Sequence, residues 1–207
     1  MPKIIGITGS IGMGKSTIAS MLSQIKIPVF DSDKEVARIL KENITVINDI
    51  GLKWPEAVIK ENNIISINKK ILGDIVFSNV KDKVFLEKLI HPIINKKRKS
   101  FIKKHTNFFF IALDVPLLFE TNTHKICHYI FLANANDRAQ RKRVLSRQHM
   151  TTAKFELIKK NQLSNKERLR LSSKIFVVNT NYGKLVSFII ILTCLFKILL
   201  KKEGQET

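Results

Sequence analysis

Acidic residues are scarce in this chain: 17 Asp and Glu stand against 36 Lys and Arg, leaving a formal net charge of +19 at pH 7. Such a balance ordinarily points to nucleic acid or a membrane surface. The lysines are scattered among many Ile and Asn, however, and no basic patch interleaved with aromatics occurs, so no nucleic-acid partner is expected. The charge still favours polyanionic small molecules. Cysteine is nearly missing. Cys127 and Cys194 lie far apart and form no C-x-x-C, which points to a reduced, cytoplasmic compartment. Long hydrophobic runs are missing too. The strongest, Leu185 to Phe196, is about twelve uncharged residues before Lys197, short of the roughly 18 that span a bilayer. A helix packed on a sheet is expected there, without membrane insertion. No signal peptide is expected, since the sequence goes directly into the first strand, and no N-K-x-D string reads guanine, which argues against a GTPase switch.

What is present begins at Ile4. An apolar, β-branched run from Ile4 to Thr8 stops on Gly9 and reads as a buried strand ended by a turn. Gly9-Ser10-Ile11-Gly12-Met13-Gly14-Lys15-Ser16 then fits G-x-x-x-x-G-K-[ST], and Ile18 to Leu22 continues as a helix. Strand, loop and helix in that order make the motif specific. Glycines let successive amides converge on phosphate oxygens, and a helix opening at Ser16 adds its positive dipole end. Lys15 supplies a point charge for the outer phosphates and Ser16 a hydroxyl for Mg²⁺. With 207 residues, 44% of them hydrophobic, one α/β domain with insertions and a real core is expected.

Further along, Pro28-Val29-Phe30 ends on Asp31-Ser32-Asp33. Ser32 and Glu35 form an S-x-x-E capping box, which predicts a helix from Ser32 through Leu40. Asp33 falls in its first turn, where it can either complement the helix dipole or face a ligand at the carboxyl edge of the sheet. From Asn43 to about His105 the pattern is helical with few strand signals, as in a helical insertion. His91-Pro92 is placed at a helix restart, with Pro in an early position. A lone His at such a place is more often a cap or a buried hydrogen-bonding group than a catalyst. Phe108 to Leu113 reads as a central strand ending on Asp114, a Walker B position for a carboxylate that holds Mg²⁺ or its water shell. Tyr129 to Ala133 is a fourth strand, capped into its helix by Asn134 or Asn136. That helix gathers Arg138, Arg141, Arg143 and Arg147, either a solvated face or a means of neutralising transferring phosphate. Thr151-Thr152 opens another helix, Ser164 and Glu167 make a second capping box, and Lys174 to Asn179 is the fifth strand.

The phosphate loop, Asp31-Ser32-Asp33, Leu89-Ile90-His91-Pro92, Asp114-Val115-Pro116-Leu117-Leu118-Phe119-Glu120 and the arginine helix, in this order, resemble the dephospho-CoA kinase family over essentially the whole chain. The resemblance implies a P-loop kinase fold. It has a five-stranded parallel sheet flanked by helices, built from residues 1–42, 106–133 and 174–207. A helical substrate-binding insertion covers 43–105, and a small lid with its following helices covers 134–173. It further implies transfer of the γ-phosphate of ATP to the ribose 3′-hydroxyl of dephospho-CoA, with Mg²⁺. Gly12, Met13, Gly14, Lys15, Ser16 and Thr17 would cradle the ATP phosphates. Arg143 and Arg147 would be lid arginines, and Asn179 would meet the adenine. Asp33 would orient or deprotonate the hydroxyl. Arg38, His91, Pro116 and Leu117 would contact substrate, while Ser16 and Asp114 would hold the metal. Ser10 stands where the family commonly has Gly, Gln148 where it has Asp, and Ser172-Ser173 where it has Ala-Asp. Another P-loop small-molecule kinase, such as one acting on nucleoside monophosphates, is the alternative within the same class. No oligomeric state follows from the sequence.

Overall fold

A computed structural model describes residues 1–61, 64–148 and 150–200. In chain order the elements are β1 (Lys3–Thr8), α1 (Lys15–Gln24), β2 (Val29–Asp31), α2 (Ser32–Glu42), α3 (Ile44–Lys53), β3 (Val58–Glu61), β4 (Ile64–Ile67), α4 (Lys69–Ser78) and α5 (Val80–Lys104). They continue with β5 (Phe110–Asp114), β6 (Tyr129–Asn134), α6 (Asp137–Leu145), α7 (Thr152–Lys160), α8 (Asn165–Leu171), β7 (Ile175–Asn179) and α9 (Gly183–Leu200). The chain divides into two units, one of residues 1–30 with 105–207 and the other of 31–104.

In the first unit, a parallel sheet runs in the order β2-β5-β1-β6-β7. Ile4 pairs with Ile111 and Ile7 with Asp114 on one side of β1, and Thr8 with Leu132 on the other. Central strands of a parallel sheet are covered on both faces and read as unbroken apolar runs. Accordingly Ile5, Ile7, Ile111, Leu113 and Phe131 are fully buried. Ile18 and Leu22 of α1 and Ile191 and Ile198 of α9 close the same core. The α9 helix buries Ser187, Ile191, Cys194, Leu195 and Ile198, and exposes Leu185, Ile189, Leu192, Phe196 and Leu199. Lys197 does not end it. The helix runs 18 residues and is, by length and composition, apolar enough to cross a membrane. The uncharged run in the sequence, Leu185 to Phe196, is shorter because it ends at Lys197, which the helix includes.

The second unit packs α2, α3, α4 and α5 around Ile39, Ile47, Ile50, Trp54, Leu72 and Ile90. Trp54 meets Phe85 edge-on with ring centroids 5.5 Å apart. Three local features differ from the sequence reading. The α2 cap is Asp31, whose side chain accepts the Lys34 amide at 3.0 Å, so Ser32 is the first helical residue and not the cap. Pro92 lies inside the 25-residue α5 and does not open a helix. Proline removes one ladder bond there, while Ile90 and Ile94 on either side keep their places in the core. An antiparallel hairpin, β3 with β4, occupies a stretch read as helical. Its four-residue strands are too short for a period to declare itself.

Candidate active site

The phosphate loop leaves β1 and enters α1, which starts at Lys15, one residue earlier than the sequence suggests. Gly14 caps the helix at φ 97°, and Gly12 sits at φ 76°. L side chains avoid both conformations. A Cβ on Gly14 would come 2.8 Å from the Thr180 hydroxyl, and one on Gly12 2.5 Å from Val144. These two glycines therefore let the loop lie against Thr180, in the turn after β7, and against α6. The Met13 amide donates to Ser10 O at 3.1 Å, closing the loop's internal turn. Of the amides opening α1, those of Thr17 and Ile18 donate to Gly14 O at 3.0 and 3.3 Å, while those of Lys15 and Ser16 lie ahead of these bonds, at the position where a helix N-terminus takes an anion.

Lys15 and Asp114 face each other at the carboxyl ends of β1 and β5, Nζ to Oδ1 4.0 Å, with side chains only 17% and 10% exposed. Ser16 and Thr17 line one end of a groove of about 490 Å³ between α1 and the start of α9, together with Ser20, Met21, Lys184 and Leu185. Thr8 and the loop after β5 are tied by the Thr8 hydroxyl, which donates to Pro116 O at 3.1 Å. Pro116 and Leu117 are half-buried.

Arg143 is drawn inward. Its Nη2 donates to Thr180 O at 2.7 Å, and its Nη1 donates to the Thr180 hydroxyl at 2.9 Å and to Gly12 O at 3.4 Å. The Thr180 hydroxyl donates in turn to Met13 O at 2.8 Å. Met13 adds a further tie, its sulfur accepting the Ala135 amide at 3.2 Å. Arg147, one turn on from Arg143, is exposed. Asn179, at the end of β7, accepts the Asn181 amide at 3.0 Å, and its carbonyl accepts the Ser187 hydroxyl.

A second set of residues holds the front of the loop. Ser10 and Ile11 are bonded by Gln140, Gln162, Leu163 and Arg168. Arg168 is fully buried beside Glu120, and burial pushes its guanidinium pKa down while Glu120 and Glu167 oppose the fall. Sequence reasoning missed Thr180, Gln140, Gln162 and Arg168. Only the Ser164–Glu167 capping box hinted at this region, and both its halves are formed.

Asp33, Arg38 and His91 belong to the second unit, and all three are exposed. Asp33 is two residues past the end of β2, in the first turn of α2. Arg38 pairs with Glu35 at 3.5 Å and Glu42 at 3.6 Å on the same helix. His91 lies in mid-α5 beside Pro92.

A parallel sheet whose first strand feeds a glycine loop, a lysine and a helix N-terminus defines the P-loop kinase class. The dephospho-CoA kinase family model matches residues 3–184. Dephospho-CoA kinase from Agrobacterium fabrum is 32% identical over 87% of this chain and 90% of its own length. That from Bartonella henselae is 35% identical over 86% and 89%. A crystal structure from Thermus thermophilus superposes with a TM-score of 0.81 at 28% identity, covering 97% of this chain and 99% of that one. The dephospho-CoA kinase structure from Campylobacter jejuni has a TM-score of 0.61 at 19% identity, over 95% and 97%, which speaks to the fold alone. The chain belongs to the dephospho-CoA kinase family and is, with it, a phosphoryl-transferring enzyme of coenzyme A biosynthesis.

Proposed function

We propose that this chain transfers the γ-phosphate of ATP to the ribose 3′-hydroxyl of dephospho-CoA, by direct in-line displacement without a phospho-enzyme. The observation that carries the reading is the pairing of Lys15 with Asp114 at 4.0 Å beside the glycine loop. It puts one cation for the outer phosphates next to one carboxylate for a metal.

A divalent metal goes with ATP-dependent kinases, and Mg²⁺ is the one proposed here. The donor chemistry fits. Ser16 and Asp114 offer only hard oxygen ligands, and Mg²⁺ is ordinarily held by one or two carboxylates together with waters and substrate phosphates. When bound, the ion would neutralise charge on the phosphate oxygens.

The protein's own groups do the rest. Loop amides from Gly12 to Thr17 hold the polyphosphate, and Lys15 draws charge from the transferring group. Arg143 and Arg147, on the 134–173 lid, neutralise equatorial oxygens, and Asn179 meets the adenine. Asp33 orients the 3′-hydroxyl and takes its proton as the oxygen bonds to phosphorus and ADP departs. Residues 43–105, with Arg38 and His91, and the Pro116-Leu117 loop receive the acceptor. The chain works in the cytoplasm, with no nucleic acid and no membrane insertion required.

A coupled assay of ATP consumption tests this. Turnover should depend on dephospho-CoA and give a product phosphorylated at the 3′ position. Preferential phosphorylation of AMP or CMP would overturn the assignment in favour of a nucleotide kinase.

A further inference from the structure

Arg168 is fully buried, an expensive place for a charge unless it is paired and hydrogen-bonded. Its Nη2 lies 3.7 Å from Glu120 Oε1, and its Nη1 donates to the Ser10 hydroxyl at 2.8 Å and to Asn165 Oδ1 at 3.2 Å. Nε and Nη2 make no hydrogen bond among the described residues, so Nη1 carries the bonding. Of its two partners, one is in Arg168's own helix and the other is in the phosphate loop, 158 positions away.

The loop end of this link is held tightly. The Ser10 hydroxyl donates to Leu163 O at 3.3 Å. The next residue, Ile11, gives its amide to Gln162 Oε1 at 2.9 Å and takes Gln140 Nε2 on its carbonyl at 2.7 Å. Glu120 also accepts the Leu163 amide at 3.3 Å, so one carboxylate serves both Arg168 and the segment that grips Ser10. Because Ser10 O receives the Met13 amide, any shift of Ser10 passes directly into the turn that presents Gly12, Gly14 and Lys15. The G-x-x-x-x-G-K-[ST] pattern leaves position 10 open, so phosphate binding itself does not require the hydroxyl.

We propose that Arg168 is a positioning residue for nucleotide binding: acting through the Ser10 hydroxyl, and fixed by Glu120, it pre-sets the phosphate loop in its anion-ready shape. The gain is pre-organisation. A loop already held in place does not have to be ordered when the polyphosphate arrives. This deepens the proposed function, on which it rests for the identity of the nucleotide.

The test compares Ser10→Ala, Arg168→Gln and the double variant in the full-length protein. ATP affinity is measured by calorimetric titration without acceptor, alongside KM and kcat with dephospho-CoA and thermal melting. Ser10→Ala should weaken ATP binding about tenfold, the scale of one charge-assisted hydrogen bond that orders a loop, and leave KM for dephospho-CoA within about twofold. The double variant should be no worse than Arg168→Gln alone, and Ser10→Thr, which keeps the hydroxyl, should recover most of the loss. ATP affinity unchanged in folded Ser10→Ala overturns the proposal, as do losses that simply add in the double variant. If Arg168→Gln does not fold, Ser10→Ala against Ser10→Thr decides. A protein that binds ATP but leaves dephospho-CoA untouched would refute the acceptor assignment and leave this test standing.

Discussion

Arg143 grips Thr180 at two points, donating to its carbonyl at 2.7 Å and to its hydroxyl at 2.9 Å. The same hydroxyl donates to Met13 O at 2.8 Å, so the turn after β7, the arginine helix and the phosphate loop share one knot. Thr180→Val keeps the shape and removes the hydroxyl. It should cost about 1–3 kcal/mol, since a part-buried carbonyl and a guanidinium both lose a partner. In steady-state kinetics the loss should appear mainly as a raised KM for ATP, with KM for dephospho-CoA little changed.

The Ser164–Glu167 capping box gives a pH signature. Hydrogen bonds from Ser164 to its carboxylate lower the Glu167 pKa below the ordinary 4.5 in the folded chain. A carboxylate held low in the fold stabilises it above the unfolded value and stops doing so as pH falls through the folded one. Wild type should therefore resist urea better than Glu167→Gln at pH 7. Urea titrations from pH 7 to 3 should show the gap closing below about 4.5.

Ile191 is fully buried on the face of α9 that packs against the sheet. Ile191→Ala should destabilise by about 2–5 kcal/mol, the range for truncating a core aliphatic side chain. Ile189→Ala, on the exposed stripe of the same helix, should cost much less. Paired thermal melts check the difference. The opposite ranking would mean that α9 sits with its other face to the sheet.

What the sequence made legible was local. The phosphate loop, the strand ending on Asp114 and the Ser164–Glu167 box each sit within a few neighbouring residues, so spacing alone exposes them. The β3–β4 hairpin escaped because Val58-Ile59 and Ile64-Ile65 are as apolar as a short helix face. Pro92 misled because a proline reads as a boundary, yet the packing of Ile90 and Ile94 carries α5 through it. Arg168 was invisible for a different reason. In a run as charged as Asn165-Lys166-Glu167-Arg168 it looks like solvated surface, and its partner Ser10 is 158 residues away. Nothing in either neighbourhood announces that contact.

The most direct test of the central claim is kcat for phosphoryl transfer from ATP to dephospho-CoA by Lys15→Ala, measured on protein shown by melting to be folded. Removing one transition-state charge contact typically costs about 10² to 10³ in rate. A fall of that size in a folded variant is the expected result. Turnover near the wild-type rate would contradict the claim, because the phosphate loop would then not be where the reaction happens.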